Sequence, residues 1–227
     1  MSTDVRRASV DNDYDYLLKF IVLGDLSVGK TTYLYHFVHN IYSNFKSTVG
    51  IDFYEKRVTF NSNVNTGIGH RLKLVLWDSA GQERFRSLTT SLFRDVMGFI
   101  LMFDVSNEST FLSVRNWITF IQTHCYHSEP QIILIGNKTD MNDRRFVDTI
   151  RAKELANELN VTYIETSSIT GYNVKESIQL LIEQTMAQME LASQKYYTTL
   201  ALGIRDLPIK TKTLMIKLSE NQKQCDC

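Results

Sequence analysis

The densest chemistry in this 227-residue chain sits in eight consecutive residues. Gly24-Asp25-Leu26-Ser27-Val28-Gly29-Lys30-Thr31 fits the spacing G-x-x-x-x-G-K-[ST]. Glycines let backbone N–H groups curl around a polyphosphate, and a helix beginning just behind them adds partial positive charge. In such a loop the amides and hydroxyls of Ser27, Val28, Gly29, Thr31 and Thr32 face the phosphates. Lys30 reaches the β- and γ-phosphates, and the Thr31 hydroxyl ligates Mg²⁺.

A phosphate loop alone serves kinases, ATPases and GTPases alike. Asn137-Lys138-Thr139-Asp140 narrows the choice. Guanine presents two donors on one edge, and an ionised aspartate offers only acceptors. Asp140 can therefore take both, whereas adenine puts an acceptor where guanine has N1–H. Sites that leave buried polar groups unpaired reject the wrong ligand by about 10⁴–10⁵. Lys138 is expected over the base, with Asn137 beside it. Asp78-Ser79-Ala80-Gly81-Gln82 then supplies the remaining parts of phosphoryl transfer. Asp78 holds Mg²⁺ through water, the Gly81 N–H meets the γ-phosphate, and Gln82 orients the attacking water. Thr48 completes the metal shell. A lone D-x-x-G is usually only a turn; it gains weight here from the other two motifs.

The elements needed to position these residues are legible in the hydrophobic pattern. Leu17–Gly24 is a nearly continuous apolar run ending at the phosphate loop, and a helical pattern follows from Lys30 to His39. Asp52–Asn61 and Arg71–Asp78 alternate apolar and polar residues and read as paired strands around a polar loop, Asn61–Gly69. Met97–Asp104 and Gln131–Asn137 read as central parallel strands buried on both faces. Ser109–His127, Asp148–Asn160 and Asn173–Ala192 carry 3.6-period stripes. Strand and helix in alternation predict a doubly wound α/β fold.

Composition narrows the remaining classes. Lysine plus arginine equals aspartate plus glutamate, 25 each, which argues against a chain built to grip nucleic acid. Val96–Phe103 is among the longest apolar runs and is far too short to cross a bilayer. Met1–Asp15 mixes arginines with aspartates and lacks the apolar run of a signal peptide. Three cysteines make no disulfide framework, so a reducing compartment is expected. His124, Cys125 and His127 invite a zinc reading, but no fourth ligand stands near in sequence, and an ordinary helix end is the expectation.

Taken together, the four motifs in this order resemble the Ras superfamily of small GTPases. Ser47–Phe53, Trp77–Arg86, Ser87–Arg94 and Cys225-Asp226-Cys227 are similar to the Rab family. Asp13–Phe20, the Asn61–Gly69 loop, Arg94–Phe99 and Arg115–Ile118 resemble its Rab twenty-seven subfamily. The resemblance implies a P-loop α/β fold with a mostly parallel six-stranded sheet flanked by helices on both faces. It divides the chain into a flexible extension (1–15), a GTP-binding domain (16–192) and a flexible tail (193–227). It also implies a GTP/GDP cycle with Mg²⁺ and two segments that order around GTP, near Ile41–Thr48 and Gln82–Arg94. Ser167 and Ser168 fall where the family contacts guanine, Tyr42 where an aromatic lies near the base or ribose. Phe53, Trp77 and Leu92 fall on the effector surface, with Leu92 where an aromatic is usual; simple core packing is the alternative for Phe53 and Trp77.

The implied partners are vesicle-tethering or motor-linked effectors, an exchange factor, a GTPase-activating protein, a dissociation inhibitor and a prenylation escort protein. Cys225 and Cys227 would carry two geranylgeranyl groups, where one chain alone anchors only marginally. The tail adds little electrostatic attraction, with six basic against four acidic residues from Met189 onward. The implied location is the cytoplasmic face of secretory vesicles or lysosome-related organelles, with a cytosolic pool. Leu26 and Ser27 depart from the family, where Ser-Gly is usual. Leu26 would face the space of the glutamine and of a partner's arginine finger, worth about 10³–10⁵ in rate. Slow hydrolysis is therefore expected, the alternative being a non-hydrolysing nucleotide-dependent interaction protein. A P-loop kinase would need an acceptor site that no motif supplies.

Overall fold

The computed structural model describes residues 13–43, 45, 51–61, 69–79, 92–126 and 130–201. Among them, six strands form one sheet in the order β2-β3-β1-β4-β5-β6. These are β1 (Tyr16–Gly24), β2 (Ile51–Asn61), β3 (Gly69–Ser79), β4 (Gly98–Asp104), β5 (Gln131–Asn137) and β6 (Thr162–Glu165). All neighbours run parallel except β2 and β3, whose antiparallel register sets Phe53 opposite Trp77 and Asn61 opposite Gly69. Every residue of β4 is buried, as the unbroken apolar run Gly98–Asp104 requires of a strand covered on both faces. The edge strand β2 alternates half-buried and exposed residues almost throughout.

Among the described residues, five α-helices cover the two faces: α1 (Lys30–His39), α2 (Glu108–Leu112), α3 (Val114–His124), α4 (Thr149–Glu158) and α5 (Val174–Ala201). Tyr33, Leu34 and Phe37 of α1 and Val174, Ile178 and Leu181 of α5 pack on Leu18, Phe20, Val22, Ile100 and Ile133. On the opposite face Phe111, Trp117, Ile121 and Leu155 pack on Ile21, Leu23, Phe99, Leu101 and Leu134. Alternate residues of one strand thus feed opposite cores. The doubly wound reading holds.

Three boundaries differ from the sequence reading. The stripe Ser109–His127 is two helices meeting at Ser113, whose hydroxyl donates to the Ser109 carbonyl at 3.0 Å. Such back-bonding competes with the helical ladder and bends it. β6 is four half-buried residues, too short and too mixed to stand out as a periodic run. The closing helix runs on to Ala201, although its apolar stripe ends near Ala192.

Candidate functional site

Loops leaving β1, β5 and β6 meet the end of β3 at the carboxyl ends of the strands, where open α/β sheets place ligands. The first is Gly24–Gly29. A Cβ on Gly24, at φ 140°, would meet the Met102 carbonyl at 2.2 Å, and one on Gly29, at φ 100°, the Asn137 amide at 2.5 Å. Both positions demand glycine. Ser27 also takes the left-handed region, at φ 63°, while Val28 is fully buried beneath the loop.

Lys30 begins α1 and is only 6% exposed. Its ammonium donates to the carbonyls of Gly24 at 2.9 Å and Asp25 at 2.7 Å. Burial lowers its pKa to about 8, against the opposing pull of Asp78 and Asp25. Beside it, the Thr31 hydroxyl donates to Oδ2 of Asp78 at 2.5 Å, and Asp78 is almost wholly buried at the end of β3. A hydroxyl and a carboxylate oxygen side by side at a helix N-terminus are the hard donors that suit Mg²⁺.

Asn137, 1% exposed, ties three loops together. Its amide donates to the Val28 carbonyl at 2.8 Å, and its Oδ1 accepts from Thr166 Oγ1, Ser168 N and Ser168 Oγ, each at 3.0 Å. Asn137 lines the groove as well, so the same side chain faces the ligand space and braces the loops around it. Lys138, left-handed at φ 70°, pairs with Asp104 at 2.7 Å. Asp140 is exposed at the groove, and one of its oxygens accepts from Ser167 Oγ at 2.5 Å. Ser168 is held from the other side, its carbonyl 3.0 Å from His36 Nδ1 on α1.

These loops line an open groove with a cavity volume of about 220 Å³. Ser27, Gly29, Lys30, Thr31, Thr32, Lys138, Asp140 and Ser168 line it together with Leu26, Tyr42, Phe45, Ser79, Asn137 and Ile169. Lys30, the amides of the first loop and the acceptor-bearing carboxylate of Asp140 share this groove, a set of groups that suits a nucleoside polyphosphate. Phe45 and Ile169 were not anticipated; single apolar residues in loops carry no periodic signal. His36, which fixes the Ser168 carbonyl, and Trp117, whose indole donates to Asp25 at 2.7 Å, were missed because each acts from a helix face read as packing.

Away from the groove, the Phe53 and Trp77 rings lie 5.4 Å apart at 39°. Phe53 is 52% exposed, while Trp77 and Leu92 are half-buried against the α3 core. Phe53 is therefore not a core residue. Thr48, Gly81 and Gln82, most of the two segments expected to order around GTP, His127, Cys225 and Cys227 all lie outside the described residues.

A family profile described as the Ras family matches residues 19–187. The chain is 50% identical over 189 residues to the Ras-related protein Rab-27A of Rattus norvegicus, spanning 82% of this chain and 86% of that protein. It is 49% identical over 189 residues to the human Ras-related protein Rab-27B, spanning 82% and 87%.

Proposed function

The chain belongs to the Ras family and is a GTPase of the Rab-27 kind, and from that premise we propose that it is a guanine-nucleotide switch of secretory-vesicle or lysosome-related-organelle transport. The observation that carries the nucleotide reading is the convergence of Lys30, the Thr31–Asp78 pair and Asp140 on one groove. Mg²⁺, held by Thr31, Asp78 and Thr48, would neutralise charge developing on the phosphates. Lys30 exchanges its two carbonyl partners for phosphate oxygens. The amides from Ser27 to Thr32 hold the polyphosphate, Asp140 takes the two donors of guanine, and Ser168 supports the base from the loop after β6. Gly81 orders the following segment around the γ-phosphate, and Gln82 orients the attacking water.

Effectors that tether vesicles or link them to motors would read Phe53, Trp77 and Leu92 in the GTP state. An exchange factor, a GTPase-activating protein, a dissociation inhibitor and a prenylation escort protein complete the cycle. Geranylgeranyl groups on Cys225 and Cys227 attach it to the cytoplasmic face of the membrane.

Hydrolysis is slow in this reading. Leu26 is 48% exposed at the groove, and Ser27 occupies a backbone region that favours glycine. An apolar side chain there crowds the approach of Gln82 and of an incoming arginine, which favours long-lived GTP. The nucleotide reading is tested by calorimetry on nucleotide-free protein. GTP and GDP are expected to bind with Mg²⁺ about 10⁴-fold tighter than ATP; equal competition by ATP overturns it.

A further inference from the structure

Asp25 puts a carboxylate inside a loop whose ligand is a polyanion, a placement Coulomb's law disfavours. Its neighbours Leu26 and Ser27 line the groove, but Asp25 does not. Trp117 accounts for that. This residue of α3 is 4% exposed, and its indole N–H donates to Oδ1 of Asp25 at 2.7 Å across 92 positions of sequence. The indole is braced edge-on by Phe120, ring centroids 5.8 Å apart at 88°. The Asp25 carbonyl meanwhile accepts from Lys30 at 2.7 Å. One contact from α3 therefore sets both the direction of an anion and the carbonyl on which the phosphate lysine rests.

We propose that Trp117 is a positioning residue for the phosphates: its indole N–H holds the Asp25 carboxylate toward α3 and out of the groove, so that the loop amides and Lys30 meet the polyphosphate without a competing negative charge. This rests on the guanine-nucleotide reading and adds to it a residue on a helix that borders no phosphate. Near enough to Lys30 to support its protonation, yet turned from the ligand, the carboxylate keeps the useful half of its electrostatics. Freed of the indole, it would swing among groups whose ligand it repels, and GTP, with one more phosphate, would lose more than GDP.

The test is the release of a fluorescent GDP or non-hydrolysable GTP analogue from the full-length chain, chased with excess unlabelled nucleotide. Trp117→Phe is expected to speed release about tenfold, equal to about 1.4 kcal/mol, with a larger factor for the GTP analogue. The factor should shrink at high salt, because repulsion between partly exposed charges is screened. Adding Asp25→Asn to Trp117→Phe should cancel most of the acceleration by removing the charge. A role limited to packing α3 would show neither the salt dependence nor the rescue. Asp25→Glu, which carries the carboxylate past the indole without touching the core, should accelerate release by a similar factor and stands in if Trp117→Phe folds poorly. Wild-type rates in both Trp117→Phe and Asp25→Glu, or no rescue by Asp25→Asn, overturn the proposal alone. A wild-type chain that retains no guanine nucleotide overturns the functional reading and this proposal together.

Discussion

The Asn137 amide donates to the Val28 carbonyl at 2.8 Å, so the loop proposed to meet the base and the loop proposed to meet the phosphates are fastened to each other. The same side chain accepts three hydrogen bonds from Thr166 and Ser168. In the proposed reading, nucleotide selectivity and nucleotide retention are therefore mechanically joined.

Asn137→Ala should therefore act at both ends. It leaves the buried Val28 carbonyl and the Ser168 donors without their partner, which costs about 1–3 kcal/mol for each unsatisfied group. A lower melting temperature and faster release of GDP are both expected. Melting and release measured on the same preparation check this; a variant that releases GDP at the wild-type rate contradicts the joint role.

Asp140 is proposed to read the donor pair of guanine, so replacing it should change preference more than stability. The residue is exposed, and its hydrogen bond to Ser167 is all that holds it among the described residues. Asp140→Ala should lose most of a GTP-over-ATP preference of about 10⁴ with little change in melting temperature. Competition binding with the two nucleotides measures it.

Lys30 makes nucleotide affinity depend on pH in a defined direction. Burial puts its pKa near 8 in the free groove, and phosphate oxygens would raise it in the complex. Below pH 8 the ammonium is already charged and affinity is flat. Above it, binding must take up a proton, so affinity falls by up to tenfold per pH unit until the raised value is passed. Titration between pH 7 and about 9.5, in two buffers of different ionisation enthalpy, reads both the slope and the proton uptake. Affinity that stays flat across that range removes Lys30 from the phosphate contact.

Ser27 and Leu26 separate strain from obstruction. Ser27→Gly should stabilise the free protein by about 1 kcal/mol, because a left-handed backbone costs a non-glycine residue about 1–2 kcal/mol and glycine returns part of that in flexibility. Leu26→Ser should leave stability nearly unchanged, since the side chain is half exposed, and should speed single-turnover GTP hydrolysis. Equal hydrolysis rates in the wild type and the Leu26→Ser/Ser27→Gly double variant would sink the slow-hydrolysis reading.

Much of this was legible from residue order. β4 announced itself through an unbroken apolar run, the β2–β3 pair through alternation, and the phosphate loop through a spacing only glycine-rich turns satisfy. The contacts between loops were not legible. Nothing in the pattern of α3 marks Trp117 as reaching Asp25, because an indole on a helix's buried face has the same periodicity whether its N–H meets a carboxylate or only closes a core. His36 is hidden for the same reason. Asn137 was legible in part: motif spacing set it at the base end, where it does line the groove, but gave no sign of the four hydrogen bonds that fasten it to other loops.

In the closing helix α5, none of the residues from Met186 to Gln194 is fully buried, although Met186 and Met189 still pack against the core. Helix advances about 1.5 Å per residue and extended chain about 3.3–3.6 Å. Each turn that melts more than doubles its own length. Were the last turns of this helix to melt, the spacing between the nucleotide-binding domain and the chain beyond Ala201 would grow accordingly.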